Sequence, residues 1–203
     1  MTNKIQIEQW FPKYIYIANE LLTENLPKYK KWIDELFEIN GELKRTPELN
    51  VNSTHEITTI HTQNVFNDLT TEFTKHSNIF AQNLGFNGKL QILNMWVNKV
   101  KHGEYLFPHV HPGSIISGAY YIESSNPQDV IKFYDSPHSM YAIPEIITDL
   151  NFADCQYECT PGRLILFQSN FVHGCPALTG DSKIVISFNT NYQTIQEDNN
   201  KNQ

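Results

Sequence analysis

Apolar positions follow one period before about residue 90 and another after it. In the first stretch they recur at helical spacing. Pro27 suits the first turn of a helix, and Trp32, Ile33, Leu36 and Phe37 follow on one side of it. The polar run from Gly41 to Asn52, with Pro47 inside it, predicts a loop. A second helix is predicted where Val65, Phe66, Leu69, Phe73, Phe80 and Leu84 share a face, with Gly85 placed to end it in a left-handed turn. From Gln91 the pattern changes to short β-branched and aromatic runs: 91–97, 105–111, 116–123, 130–134, 156–159, 163–167 and 183–192. Asn126-Pro127, Ser136-Pro137 and Pro161-Gly162 punctuate them.

Many short strands with no helices between them predict a mainly β fold with N-terminal helices, its core a jelly roll or barrel. Residues 1–90 form a helical region packing on a β core at 91–192. A polar tail at 193–203 is expected to be disordered, and the whole to be one domain. There is no internal repeat.

At 203 residues and 40% hydrophobic content the chain is able to bury a full core. A formal net charge of −7 argues against general nucleic-acid binding, which needs a basic surface. The three cysteines, Cys155, Cys159 and Cys175, have no zinc-knuckle spacing, and their odd number speaks against a disulfide framework. The N-terminus lacks the organisation of a signal peptide, and no apolar run is long enough to cross a bilayer. A soluble, cytoplasmic protein without a membrane partner is therefore expected; the sequence does not fix an oligomeric state.

Candidate chemistry centres on histidine. His109 and His111 flank Val110, and in an extended strand both project from the same face. Pro108 and Pro112-Gly113 confine this pair to a short segment before the apolar run Ile115–Ile122. A third histidine, His173, stands in Phe171-Val172-His173-Gly174. Three imidazoles gathered from separate segments would bind one metal ion and leave positions open for substrate or dioxygen. Further on, Lys183, Val185 and Ser187 share one face of a strand, so a cation and a hydroxyl would point together into the barrel. The competing reading of Lys183 is a solvated lysine after the Gly180-Asp181-Ser182 turn. His55, His61, His76, His102 and His138 read as solvated or capping residues, Arg163 as a cap on a barrel edge and Asp135 as part of a turn, while Asn98 is a candidate cavity residue.

Four blocks, Met95-Trp96-Val97-Asn98, His109 to Tyr121, Pro161 to Phe167, and Phe171 to Gly174 followed by Lys183 to Asn189, resemble the iron(II)/2-oxoglutarate-dependent oxygenases, in particular those of bacteria and tailed phages. The resemblance spans roughly Gln91 to Tyr192. It implies a double-stranded β-helix with His109, His111 and His173 as iron ligands. The distal carboxylate of 2-oxoglutarate would lie near Lys183, with Tyr121 and Ser187 helping to hold this cosubstrate. It further implies dioxygen as co-reactant, hydroxylation of a C–H bond in an unidentified substrate, and release of succinate and CO2. The chain departs from the usual pattern at two points: His111 stands where most relatives have a carboxylate ligand, and Lys183 where most have arginine.

Two other classes remain open on sequence. One is a cupin-like three-histidine metalloenzyme that uses no 2-oxoglutarate. Gly103 precedes His109 at cupin spacing, but the glutamate that should follow is absent from Pro112-Gly113-Ser114-Ile115-Ile116. A zinc hydratase or hydrolase is a variant of it. The other is a non-catalytic jelly-roll binding module.

Overall fold

The computed structural model describes residues 12–40, 49–57, 59–135, 145, 146, 148 and 151–193. In chain order the elements are β1 (Ile15–Ala18), α1 (Leu26–Asn40), β2 (Leu49–Asn50), β3 (Asn52–Ser53), α2 (Asn67–Asn83), β4 (Leu90–Lys101), β5 (Tyr105–His109) and β6 (Ile116–Ser124). Then follow β7 (Val130–Tyr134), β8 (Asp154–Glu158), β9 (Leu164–Gln168), β10 (His173–Cys175) and β11 (Ser182–Tyr192). They form two antiparallel sheets, one ordered β1-β9-β6-β11-β4-β3 and the other β2-β5-β10-β7-β8. This is the mainly β jelly roll expected from the strand-rich second half.

Both helices pack on the outer face of the six-stranded sheet. From α1 come Tyr29, Ile33 and Phe37; α2 and the turn before it supply Phe66, Leu69, Phe73 and Phe80. They meet Met95 and Val97 of β4, Tyr120 and Ile122 of β6, Leu164 and Leu166 of β9, and Ile184, Ile186 and Phe188 of β11. Phe73 stacks on Phe188 with ring centroids 4.5 Å apart, and Gly118 lets that ring close over β6, since a Cβ there would sit 2.4 Å from it. The opposite face carries Ala119, Tyr121, Ile165, Phe167 and Val185, which pack with Ile131 and Phe133 of the second sheet. With both faces covered, β6, β9 and β11 are apolar without strict alternation. The helix α2 ends as its sequence predicts, with Gly85 at a φ of +84°.

Several elements differ from the sequence expectation. The first 90 residues are not only helical. β1 pairs with β9, β3 with β4 and β2 with β5, so three strands of the two sheets come from this region. Two of these lie in the stretch 41–52 expected to be a loop; each is two residues long, too short to leave a period-2 signal. The strand expected to reach His111 ends at His109, because Pro112-Gly113 draws the chain into a turn. His173, expected at the end of a strand, begins one. The tail from 194 and His138 lie outside the described residues.

Candidate metal centre and its cavity

His109 and His173 are register partners where β5 meets β10. His111 lies just beyond β5, and its backbone N–H donates to the Ser169 carbonyl at 2.8 Å, which pins the turn. Its pairing with His109 is therefore made by this turn and not by strand alternation. The ligating-capable atoms of His109, His111 and His173 all lie within 4.8 Å of one another, and the Nε2 atoms of His111 and His173 are 3.2 Å apart. Gly174 makes this approach possible. A Cβ there would stand 2.7 Å from the Leu106 carbonyl oxygen and 3.0 Å from Pro108 N, so only glycine lets β10 lie this close to β5.

Two of the rings have their tautomers set by the backbone. His109 Nδ1 donates to the Phe107 carbonyl at 2.7 Å, and His173 Nδ1 donates to the Phe171 carbonyl at 3.0 Å. A carbonyl only accepts, so each Nδ1 carries the proton and each Nε2 keeps a free lone pair. Burial, reinforced by neighbouring imidazoles, lowers all three pKa values: His111 to about 4, His173 to about 3, and His109 below the ordinary range, although the Phe107 carbonyl offsets part of its fall. The trio is neutral at pH 7. Neutral, convergent, backbone-oriented imidazoles are the donor set a first-row divalent cation takes.

The trio opens into a cavity of about 800 Å³ between the sheets. Lys183 lines it and is only 2% exposed, which removes the solvated-lysine reading. Its Nζ lies 3.8 Å from Cys159 Sγ, a weak acceptor, and no carboxylate forms an ion pair with it among the described residues. Burial penalises the ammonium, but Cys175, Cys159 and Asp129 around it offset this and hold its pKa above the usual lysine range. Tyr121 and Ser187 line the same cavity, as does Asn98, whose Nδ2 reaches Ser187 Oγ at 3.5 Å. Burial raises the Tyr121 phenol and pushes the Cys159 thiol up to about 12, so both are protonated at neutral pH. The structure thus brings together His109, His111, His173, Lys183, Ser187 and Tyr121 around one space. A smaller cavity of about 500 Å³ borders α1, where Lys30, Lys99, Asp34 and Glu123 satisfy one another's charge.

Some of the other polar residues follow the sequence reading and others do not. Arg163 caps the barrel edge through Asn19 Oδ1 and the Glu158 carbonyl, and His102 is exposed near Thr179. His55 is exposed, as the solvated reading expects, and still borders the cavity, its ring edge-on to Trp96 at 5.2 Å, with Trp96 in turn 5.8 Å from the His111 ring. His76 is a correction, since it is half-buried and its Nδ1 hydrogen-bonds Tyr16 at 2.7 Å. Asn94 and Asn189 also line the cavity. A bulge hides them from periodicity: Asn94 pairs with Asn189 but Ile92 pairs with Thr190, so Leu93 is an extra residue. The phase of β4 shifts there, and Asn94 turns inward.

Comparison with known families and structures locates this arrangement. Residues 94–189 match the family described as "Putative 2OG-Fe(II) oxygenase". No curated protein matches the chain. A prolyl-4-hydroxylase of Pseudomonas putida is similar in structure at 10% identity and a TM-score of 0.62, over 89% of this chain and 93% of its own. The viral collagen prolyl hydroxylase of Paramecium Bursaria Chlorella virus-1, solved as a 2OG complex, gives 13% identity and a TM-score of 0.58, over 88% and 96%. HygX from Streptomyces hygroscopicus, solved with nickel and 2-oxoglutarate bound, gives 11% and 0.60, over 88% and 83%. At these identities the likeness is one of fold.

Proposed function

We propose, from the match of residues 94–189 to the 2OG-Fe(II) oxygenase family, that this protein hydroxylates a C–H bond of its substrate using iron(II) and 2-oxoglutarate. His109, His111 and His173 would hold the iron, and Lys183, with Ser187 and Tyr121, the cosubstrate. When bound, iron(II) would supply dioxygen activation coupled to oxidative decarboxylation of 2-oxoglutarate to succinate and CO2, one oxygen atom going to succinate and one to the substrate.

The observation that carries this reading is the buried Lys183 ammonium facing the same cavity as the histidine trio, with a thiol as its hydrogen-bond partner. The ammonium is held charged but bonds directly only to a weak thiol acceptor, so an anionic ligand entering the cavity would gain a charge-assisted contact. The donor set favours the same outcome. Three neutral imidazoles leave a divalent ion's charge uncancelled, whereas the usual carboxylate would have reduced it. Together with Lys183, this gives two centres of positive charge at separate places in one cavity, matched to a ligand with a carboxylate at each end. Lys183 bonds as a point charge where arginine would offer a planar fork, which leaves room for the Ser187 and Tyr121 hydroxyls to complete the contact. The aromatic and aliphatic walls formed by Trp96, Ile131, Phe167 and Val185 keep bulk water from the reacting centre.

The test is an anaerobic titration of the iron(II)-loaded protein with 2-oxoglutarate, followed by admission of oxygen. A weak visible charge-transfer band and then succinate release are expected. Iron binding with neither would leave the cupin-like alternative in its place.

A further inference from the structure

The cavity walls also bear on the substrate, given the reading above. Besides Lys183 and the histidines, no charged side chain lines the cavity among the described residues. Carboxylates are absent from that lining, and so is arginine. A substrate bringing a second carboxylate, an ammonium or a phosphate to the iron would find no countercharge there. Burying such a group unpaired is strongly disfavoured.

What the wall does offer is a fixed hydrogen-bond donor. Ser117 Oγ donates to Asn189 Oδ1 at 2.7 Å, and Asn189 Nδ2 donates to Asn94 Oδ1 at 3.0 Å. This relay uses the Asn94 acceptor inside the protein and leaves its Nδ2 without a partner among the described residues. The bulge at Leu93 places Asn94 on the cavity wall. The neighbouring surface is aromatic: Trp96, with the exposed His55 ring standing at 81° to it, lies between Asn94 and Asn98 on β4. At the rim, Leu93 is 49% exposed and Phe107 54% exposed, so apolar surface continues out of the cavity.

We infer that the part of the substrate presented to the iron is electrically neutral, carries a hydrogen-bond acceptor such as an amide carbonyl for Asn94 Nδ2, and lays an apolar body against Trp96 and the rim formed by Leu93 and Phe107. Asn94 is the residue that sets this specificity. Free amino acids, organic acids and nucleotides reacting near their charged groups find no countercharge among the described residues of this lining. This inference rests on the oxygenase reading for the word substrate, but the recognition itself does not depend on turnover.

Three probes with one ring and different charge test it: phenylacetamide, phenylacetate and phenethylamine. Their binding is measured by ligand-observed NMR to protein loaded with zinc(II), a diamagnetic ion that accepts three histidines, and saturated with 2-oxoglutarate. The amide is expected to bind at least tenfold tighter than either charged probe. Asn94→Asp keeps the acceptor that Asn189 uses and turns the cavity-facing donor into an acceptor. It should weaken the amide about tenfold and reverse the preference toward phenethylamine. Equal or tighter binding of a charged probe to the wild type, or an order of preference unchanged by Asn94→Asp, would overturn the inference. Binding of zinc and of 2-oxoglutarate is measured first and separately. If 2-oxoglutarate does not bind, the oxygenase reading fails, while the Asn94→Asp comparison with amide and amine still decides this one.

Discussion

Along β11, Ile184, Ile186 and Phe188 turn toward the helices while Lys183, Val185 and Ser187 turn into the cavity. The same division runs through β4, where Met95 and Val97 face the helices and Asn94, Trp96 and Asn98 face the cavity. Alternate residues of these strands therefore face the helices, and the residues between them face the cavity. The helix side is dry and its contacts are mutual, so its energy is spent when the protein folds. The cavity side holds a buried ammonium and neutral imidazoles whose partners would arrive with ligand. Stability and binding can thus be altered almost independently in one sheet.

The sharpest contrast sets His173→Ala against Phe73→Ala. Removing His173 takes away one of three donors, and metal binding at micromolar concentration should disappear from dialysis and metal analysis while the fold persists. Removing Phe73, which is fully buried against Phe188 and Tyr120, should cost about 3–5 kcal/mol in denaturant unfolding. Metal affinity per folded molecule should be unchanged. If either variant showed both losses, the two faces would not be separable.

Lys183→Met sharpens the comparison on the cavity side. Loss of a charge-assisted contact of about 1.5–3 kcal/mol should weaken 2-oxoglutarate by roughly ten- to a hundredfold in isothermal titration. Iron affinity should stay nearly constant, and stability should change by less than about 1 kcal/mol, since replacing a buried charge with an apolar side chain of similar length is often close to neutral. His111→Asp should retain iron and show 2-oxoglutarate consumption, because it restores the commoner two-histidine, one-carboxylate set.

A smaller effect should appear with pH in the metal-free protein. His111 and His173 have folded pKa values of about 4 and about 3, below the ordinary 6.5. As pH falls from 6.5, the unfolded chain takes up protons that the folded one refuses, so these residues' stability is present above 6.5 and is lost toward pH 4 to 3. A progressive fall in stability between pH 7 and pH 4 is expected from denaturant curves. His173→Ala should flatten it, whereas Phe73→Ala should shift the whole profile without changing its shape.

The two faces also differed in how far they could be read from sequence. Both helices, and seven of the strands within a few residues, follow from apolar period and turn residues, because burial against a neighbouring layer leaves a repeat. The histidine trio and Lys183 were legible through residue type and order. Asn94, Asn189 and His55 were not. Asn94 and Asn189 meet across a bulge that breaks the period, and His55 reaches Trp96 from a turn between short elements. The strands β1, β2 and β3 were missed for a related reason: at two to four residues each, they are defined by the partners they pair with and not by their own pattern.

A metal ion at the histidine trio and a dicarboxylate spanning from it to Lys183 would occupy one cavity and be thermodynamically linked. Linkage gives the direct test, since whatever factor one ligand changes the other's affinity by must be returned, and direct contact between the ion and a carboxylate makes that factor an enhancement. Anaerobic equilibrium dialysis measures 2-oxoglutarate binding with and without iron(II), and iron(II) binding with and without 2-oxoglutarate. The expected result is reciprocal enhancement of at least tenfold in the wild type, greatly reduced in Lys183→Met. Affinities of each ligand that are independent of the other would contradict it.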